Sequence, residues 1–311
     1  MMGFNVKYFN TGEAFMTLID YIKLLGSVND YARSFGGQDR VIDTGAGLPS
    51  FLTNDINSYK RRNALLSSNI AWNPSERLKV NAYYLFNFDQ SYGKYDNQRT
   101  YMETDRTETF SETSAARRGF HHLGLNLKCM LPGNAAFDSR TTITAMPQTS
   151  NRHISNYNFE SKLHEWNFSQ RMSVVKNWNN KDLLSVSGEF DYRNSRRQLN
   201  VESANTLYDL TVYDVAQKQK QTLINAFLSS SWVHRLSRAW QMNMAGGWNL
   251  IRNMASASAS VDTFDVAKQF LTTNVYNYTI SFSKKSGLLR LNGGLTLASV
   301  NNRFENNRLL L

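Results

Sequence analysis

The sequence predicts an all-β fold: an antiparallel meander of about ten strands forming part of a transmembrane β-barrel, with short turns on one side and long loops on the other. Three observations carry this. Apolar and polar residues alternate with period two in segment after segment, short and long polar breaks alternate between those segments, and tryptophans collect beside the short breaks.

Taken in order from residue 60, the alternation begins with Leu66, Ser68, Ile70 and Trp72 on one parity, before "NPSER" breaks the chain. In "LKVNAYYLFNF" every second residue is apolar: Leu78, Val80, Ala82, Tyr84, Phe86 and Phe88, with Lys79, Asn81 and Asn87 between them. "HLGLNLKCML" sets Leu123, Leu125, Leu127, Cys129 and Leu131 against Gly124, Asn126 and Lys128, and "PGN" follows as a turn. The same period returns at Leu184, Val186, Phe190 and Tyr192; at Trp240, Met242, Met244, Trp248 and Leu250; at Tyr276, Tyr278, Ile280 and Phe282; and at Leu289, Leu291, Leu295 and Leu297. A period of two is the signature of a strand whose two faces meet different surroundings.

Short turns fall near 73–77, 132–134, 176–182, 234–238 and 284–287, and long polar stretches near 90–117, 147–156, 193–219 and 253–272. A soluble sandwich mixes hairpins with crossings between sheets and has no reason to put all its long connections at one end. An outer-membrane barrel does, because short turns close one side and long loops the other. The greasy face then looks at lipid, with Leu78, Val80, Tyr84, Phe86, Leu123, Leu125, Leu127, Ile280, Phe282, Leu291 and Leu295 as its lipid-facing residues. The wet face looks into a lumen or onto a plug, where Lys79, Lys128, Asp138, Arg140, Glu189, Asp191 and Arg290 are tolerated as no sandwich core would tolerate them.

Trp72, Trp178, Trp232 and Trp240 lie in or near short turns, as amphipathic rings at a headgroup boundary do. Trp248 follows Trp240 by eight residues. At a ~3.3 Å rise and ~45° tilt this is about 19 Å of height, close to the ~25 Å apolar band of such barrels. These five residues are the expected membrane-interface girdle. Tyr92, Tyr95, Tyr101, Arg193, Arg196 and Arg197 fall in the expected loops and are the candidate ligand contacts, since Tyr and Arg commonly anchor binding surfaces.

Residues 1–58 read differently, as a loop-rich segment. Phe15, Leu18, Ile19, Ile22 and Leu25 are spaced as on one helical face, predicting a short helix, and residues 59–311 form the partial barrel. "NNRFENNRLLL" at the carboxyl end reads as a loop and the start of another strand, so the chain is expected to be incomplete at both ends.

Composition narrows the partners. Charged residues make up 19% of the chain, below the roughly 25% usual in soluble domains. The net charge of +10 raises nucleic acid, but the basic residues are scattered as pairs such as Arg61-Arg62 and Arg117-Arg118, so nucleic acid is not expected as a partner. The lone Cys129 rules out intrachain disulfides and thiolate clusters. No apolar run approaches the ~18 residues of a membrane helix.

No catalytic or metal constellation emerges, and no enzyme activity or cofactor is expected. His121 and His122 are strand neighbours that point to opposite faces and cannot share an ion, with His121 expected where the strand leaves a loop. "HEWNF" lacks the second histidine of a zinc motif, and "GGQDR" and "GAGLP" do not link a strand to a helix as a phosphate loop must.

"TGEAFMTLIDYIKLLG", then "FGGQDRVIDTGAGLP", then "NDINSYKRRNALLSSNIAWNPSERLKVNAYYLFN" resembles the barrel region of TonB-dependent outer-membrane receptors of the Bacteroidota type, most sharply over about residues 8–90. The resemblance implies import of a scarce ligand across the cell outer membrane, driven through an inner-membrane complex. It implies outer-membrane lipid as a partner, and a plug domain and TonB complex for the full-length parent. Barrels of that kind have about twenty-two strands, so this chain supplies roughly half.

Two other readings make different demands. A self-contained small barrel acting as pore, adhesin or enzyme calls for a closing strand with an aromatic end. A secreted soluble all-β binding module calls for expression without detergent, with the apolar faces buried against each other.

Overall fold

A computed structural model describes residues 2–9, 60–101, 106–154, 157–178, 181–203, 215–237, 240–259, 267–286 and 289–308. They form eleven strands: β1 (Met2–Phe9), β2 (Lys60–Ser75), β3 (Leu78–Tyr101), β4 (Arg106–Leu131), β5 (Ala135–Ile154), β6 (Tyr157–Trp178), β7 (Asp182–Ser203), β8 (Val215–Arg235), β9 (Trp240–Ala259), β10 (Ala267–Ser286) and β11 (Leu289–Arg308). All belong to one sheet in chain order, and each strand is antiparallel to the next. No helix occurs among the described residues.

Local chemistry explains the tight end of the meander. Glu76 and Arg77 join β2 to β3, and Ser75 Oγ accepts the Leu78 N–H at 3.1 Å. Ser237 does the same for Trp240 at 3.1 Å, before β9. Between β4 and β5, Gly133 (φ 74°) and Asn134 (φ 57°) are both left-handed, a region that glycine and asparagine enter at least cost. Within the sheet, β5 carries Pro147, which cannot donate to a ladder; the β4–β5 pairing stops after Arg118 and resumes at His121.

The strands are longer than the alternation alone suggested. β3 and β4 run 24 and 26 residues, and β5 to β11 run 20 to 22, about twice the ~9–11 that cross a bilayer. The polar stretches expected as long loops are therefore mostly strand. Only 102–105, 155–156, 204–214 and 260–266 lie between the strands at that end. Backbone pairing needs no particular side chain, so a polar sequence continues a ladder wherever its neighbour does. The carboxyl-terminal "NNRFENNR" is likewise the end of β11.

Strand β1 lies within the segment read as loop-rich and pairs with β2 from Met2↔Ile70 to Phe9↔Asn63. The short helix expected around Phe15–Leu25 lies outside the described residues.

Apart from Gly119, the buried residues of β2, β3 and β4 share one face, and it is mostly polar. Arg61, Asn63 and Leu65 on β2 lie with Asn81, Tyr83, Leu85, Asn87, Asp89 and Ser91 on β3 and with Ala116 and Phe120 on β4. Large apolar side chains stand exposed on the other face, including Ile70, Leu123, Leu125, Ile143, Met244, Ile280 and Phe282. This inverts the usual soluble arrangement.

Candidate functional site

The two faces offer different chemistry. On the polar face, Asp89 is 1% exposed and accepts from Arg61 Nε at 2.6 Å and from Arg118 Nη1 at 3.1 Å. Register sets further ion pairs elsewhere on this face: Lys128 with Asp138 at 3.6 Å and Arg171 with Glu189 at 2.7 Å. Arg193 approaches Glu165 at 3.7 Å. Farther out, Arg152 grips Glu112 through two bonds of 2.5 and 2.7 Å, which hold the Glu112 carboxyl below the usual carboxylate range. The side-chain oxygens of Asn87, Asn126, Asn167, Asn225, Asn243 and Asn249 are buried on this same face without a hydrogen-bond partner.

The adjacent histidines divide between the faces. His122 is hydrogen-bonded with Tyr83 Oη at 3.1 Å and Thr144 Oγ1 at 2.8 Å, and His121 with Tyr84 Oη at 2.9 Å. Both sit well inside β4 and not at a loop junction.

On the apolar face, register brings Leu78, Val80, Tyr84 and Phe86 beside Cys129, Leu127, Leu123 and His121. Ile280 stands between Met244 and Leu295, and Leu125 is 41% exposed. Leu291 lies on β11 opposite Lys284, with its side chain outside the described residues. Trp72, Trp178 and Trp240 are exposed near the tight turns, and cations attend two of them. Lys176 Nζ lies 4.8 Å from the Trp178 ring, and Lys284 Nζ 5.3 Å from that of Trp240. Trp232 Nε1 donates to Asp182 Oδ1 at 3.0 Å, and Trp248 Nε1 to Asn274 Oδ1 at 3.3 Å.

Trp166 was missed at the sequence level. It is 44% exposed, lies on the parity of Trp178 twelve residues along β6, and packs against Tyr192 with ring centroids 4.8 Å apart. It shares the parity of the turn-side Trp178, as Trp248 does that of Trp240, and this parity was the signal available.

The candidate ligand residues do not converge on one place. Tyr92, Tyr95 and Tyr101 are on β3, and Arg193, Arg196 and Arg197 on β7, all within strands and not loops. The side chain of Tyr101 is outside the described residues. Strand alternation splits the arginines: Arg193 and Arg197 share the polar face and Arg196 takes the other. Tyr92 lines a cavity of about 450 Å³ on the extended part of the sheet, with His153, Asn158, Glu160, Asn200 and Glu202. There Lys162, at 2.8 Å, and Asn200, at 3.0 Å, hold the Glu160 carboxyl below its ordinary range.

Compared with known proteins, the chain matches no family model, no curated protein and no solved structure.

Proposed function

We propose that this chain is part of the β-barrel of an outer-membrane receptor of the TonB-dependent kind, which imports a scarce ligand when complete and catalyses no reaction. The single observation behind the reading is the inversion of the sheet: on β2 to β4 charged and amide side chains are buried on one face, while large apolar side chains from β2 to β10 stand exposed on the other. In water such an apolar face is a liability; against hydrocarbon it is the stable arrangement.

Further support comes from the apolar band. On β9 it runs from Trp240 to Leu250, and on β3 from Leu78 to Phe88, each a rise of about 33 Å along the strand and about 23 Å at ~45° tilt. The partnerless amide oxygens on the polar face suit a hydrated lumen or a polar plug. Strands β1 and β11 are the two margins of the sheet. Unpaired amides in lipid cost several kcal/mol each, which favours pairing of these margins within a closed barrel; the plug and the inner-membrane TonB complex belong to the proposed full-length parent.

The membrane reading is tested by expressing the chain and fractionating the cells. Recovery only with detergent from outer membranes is expected, whereas a monomer soluble without detergent would overturn the reading. The transport reading is tested on the full-length parent, which is expected to cross-link to an energy-transducing inner-membrane complex and to lose ligand uptake when the proton gradient collapses. Uptake that survives the collapse would remove the TonB part of the proposal.

A further inference from the structure

We infer that an outward-facing row of basic side chains, Arg196 and Lys220 flanked by His164 and with Lys218 behind it, is a docking surface for the phosphate groups of membrane lipids at the extension-side border of the apolar band. The inference rests on the membrane-barrel reading above.

Register builds the row. His164 pairs with Arg196 and Arg196 with Lys220, so β6, β7 and β8 set three basic side chains side by side on one face. One step farther along the extensions, Gln198 pairs with Lys218. One step back towards the tight turns lie Trp166, Asn194 and Thr222. The parity is that of Trp178, Leu184 and Trp232, so the row belongs to the apolar face, just beyond its edge. On the same face Arg252 on β9 and Arg117 on β4 are also exposed.

Several inward cations are matched by carboxylates, as Lys162 on the outward face is by Glu160, and among the described residues this row is not. Inward cations such as Arg61, Arg118, Lys128, Arg152 and Arg171 each meet a carboxylate of the chain within 4 Å. Arg196, Lys218 and Lys220 are exposed, and among the described residues no carboxylate pairs with any of them. Like charges directly opposite across two strands repel, so Arg196 beside Lys220 is an arrangement that an external anion relieves.

Position supplies the identity of that anion. The Trp166 and Tyr192 rings, 4.8 Å apart, mark the level at which amphipathic aromatics meet headgroups. The cation row lies two residues farther along each strand, about 7 Å of chain and about 5 Å of height. That is where the phosphates of a leaflet sit, and where guanidinium and ammonium groups gain from them most.

The full chain reconstituted in nanodiscs of phosphatidylcholine, doped with either phosphatidylglycerol or a diphosphorylated glycolipid, tests the idea by native mass spectrometry of retained lipid. Protease protection of the strands in the same samples reports insertion. Enrichment of a phosphorylated lipid over phosphatidylcholine by about five-fold or more is expected. It should disappear in the double variant Arg196→Gln/Lys220→Gln and persist in Arg171→Gln, with insertion unchanged in both. Comparing the two dopants shows which lipid is the source. Enrichment that survives in the double variant, or a signal that millimolar inorganic phosphate abolishes without any lipid preference, would overturn the inference. A wild-type chain left unprotected in every bilayer would instead bring down the membrane reading, and this inference with it.

Discussion

The ring of Tyr83 lies across Gly124, its direct partner on the next strand, so closely that a methyl group at position 124 would overlap the phenol. The hydroxyl reaches on to His122 Nε2 at 3.1 Å. The same device recurs on the opposite face, where a Cβ at Gly246 would come within 3.2 Å of its partner Tyr278. Gly124→Val should therefore destabilise by about 1–3 kcal/mol through overpacking. Adding Tyr83→Ala removes the clash, so the double variant should lose less than the sum of the singles. Urea midpoints in detergent measure this, and strict additivity would show that the ring is not held there.

Asp89 joins Arg61 and Arg118 across three strands and is 1% exposed. Removing one member of a buried ionic group costs about 3–5 kcal/mol, because the remaining charge stays buried without its counter-ion. Asp89→Ala should cost that much, while Glu189→Ala, whose partner Arg171 is 53% exposed, should cost well under half of it. Equal losses in chemical denaturation would contradict the burial assigned to Asp89.

Parity allows a test on neighbouring residues. Leu125→Arg and Asn126→Arg compare the faces poorly, because Arg140 stands directly opposite Asn126. Met244 and Asn243 serve better: Met244 is 40% exposed on the apolar face, and Asn243 faces Val233 and Ser281 on the polar one. Arg at 244 should cost about 2–4 kcal/mol in a bilayer and Arg at 243 little. Folding yields into lipid vesicles report the difference, and similar yields for both would count against a lipid-facing surface.

The Glu112–Arg152 pair predicts a local response to acid. Its hydrogen bonds lower the Glu112 carboxyl pKa and raise that of the Arg152 guanidinium. An unfolded glutamate titrates near ~4.3, so just below this the unfolded chain binds more protons and stability rises with pH. The stabilisation is present above about pH 4.3 and is lost as pH falls through the lower folded value. Amide protection on the outer halves of β4 and β5, taken relative to the intrinsic exchange rate at each pH, should fall between about pH 5 and 3, and less so in Glu112→Gln. Identical profiles would show that the pair does not hold these strands.

The faces were legible in the sequence because a period of two is imposed by the pleat: Leu123, Leu125 and Leu127 share a side whatever the sheet encloses. The ends of the strands were not legible. Tyr92 and Arg196 read as loop residues because their surroundings are polar, yet a strand flanked by other strands continues on backbone hydrogen bonds alone. Strand β1 was missed although Phe4, Val6 and Tyr8 alternate with Gly3, Asn5 and Lys7, because eight residues stood apart from the main run. The candidate ligand residues failed to assemble for a related reason: once their segment is a strand, Arg196 and Arg197 must part to opposite faces.

The pairing of β1 with β2 bears on the order of assembly. From β2 to β11 every strand finds its partner after a connection of two to eleven residues, so hairpins can form and add to one another along the chain. Strand β1 is separated from β2 by residues 10–59, fifty positions of sequence. Pairing across so wide a sequence separation costs more chain entropy than closing a hairpin. Only eight pairs repay it, and β1 is accordingly the strand that should dock last and fray first.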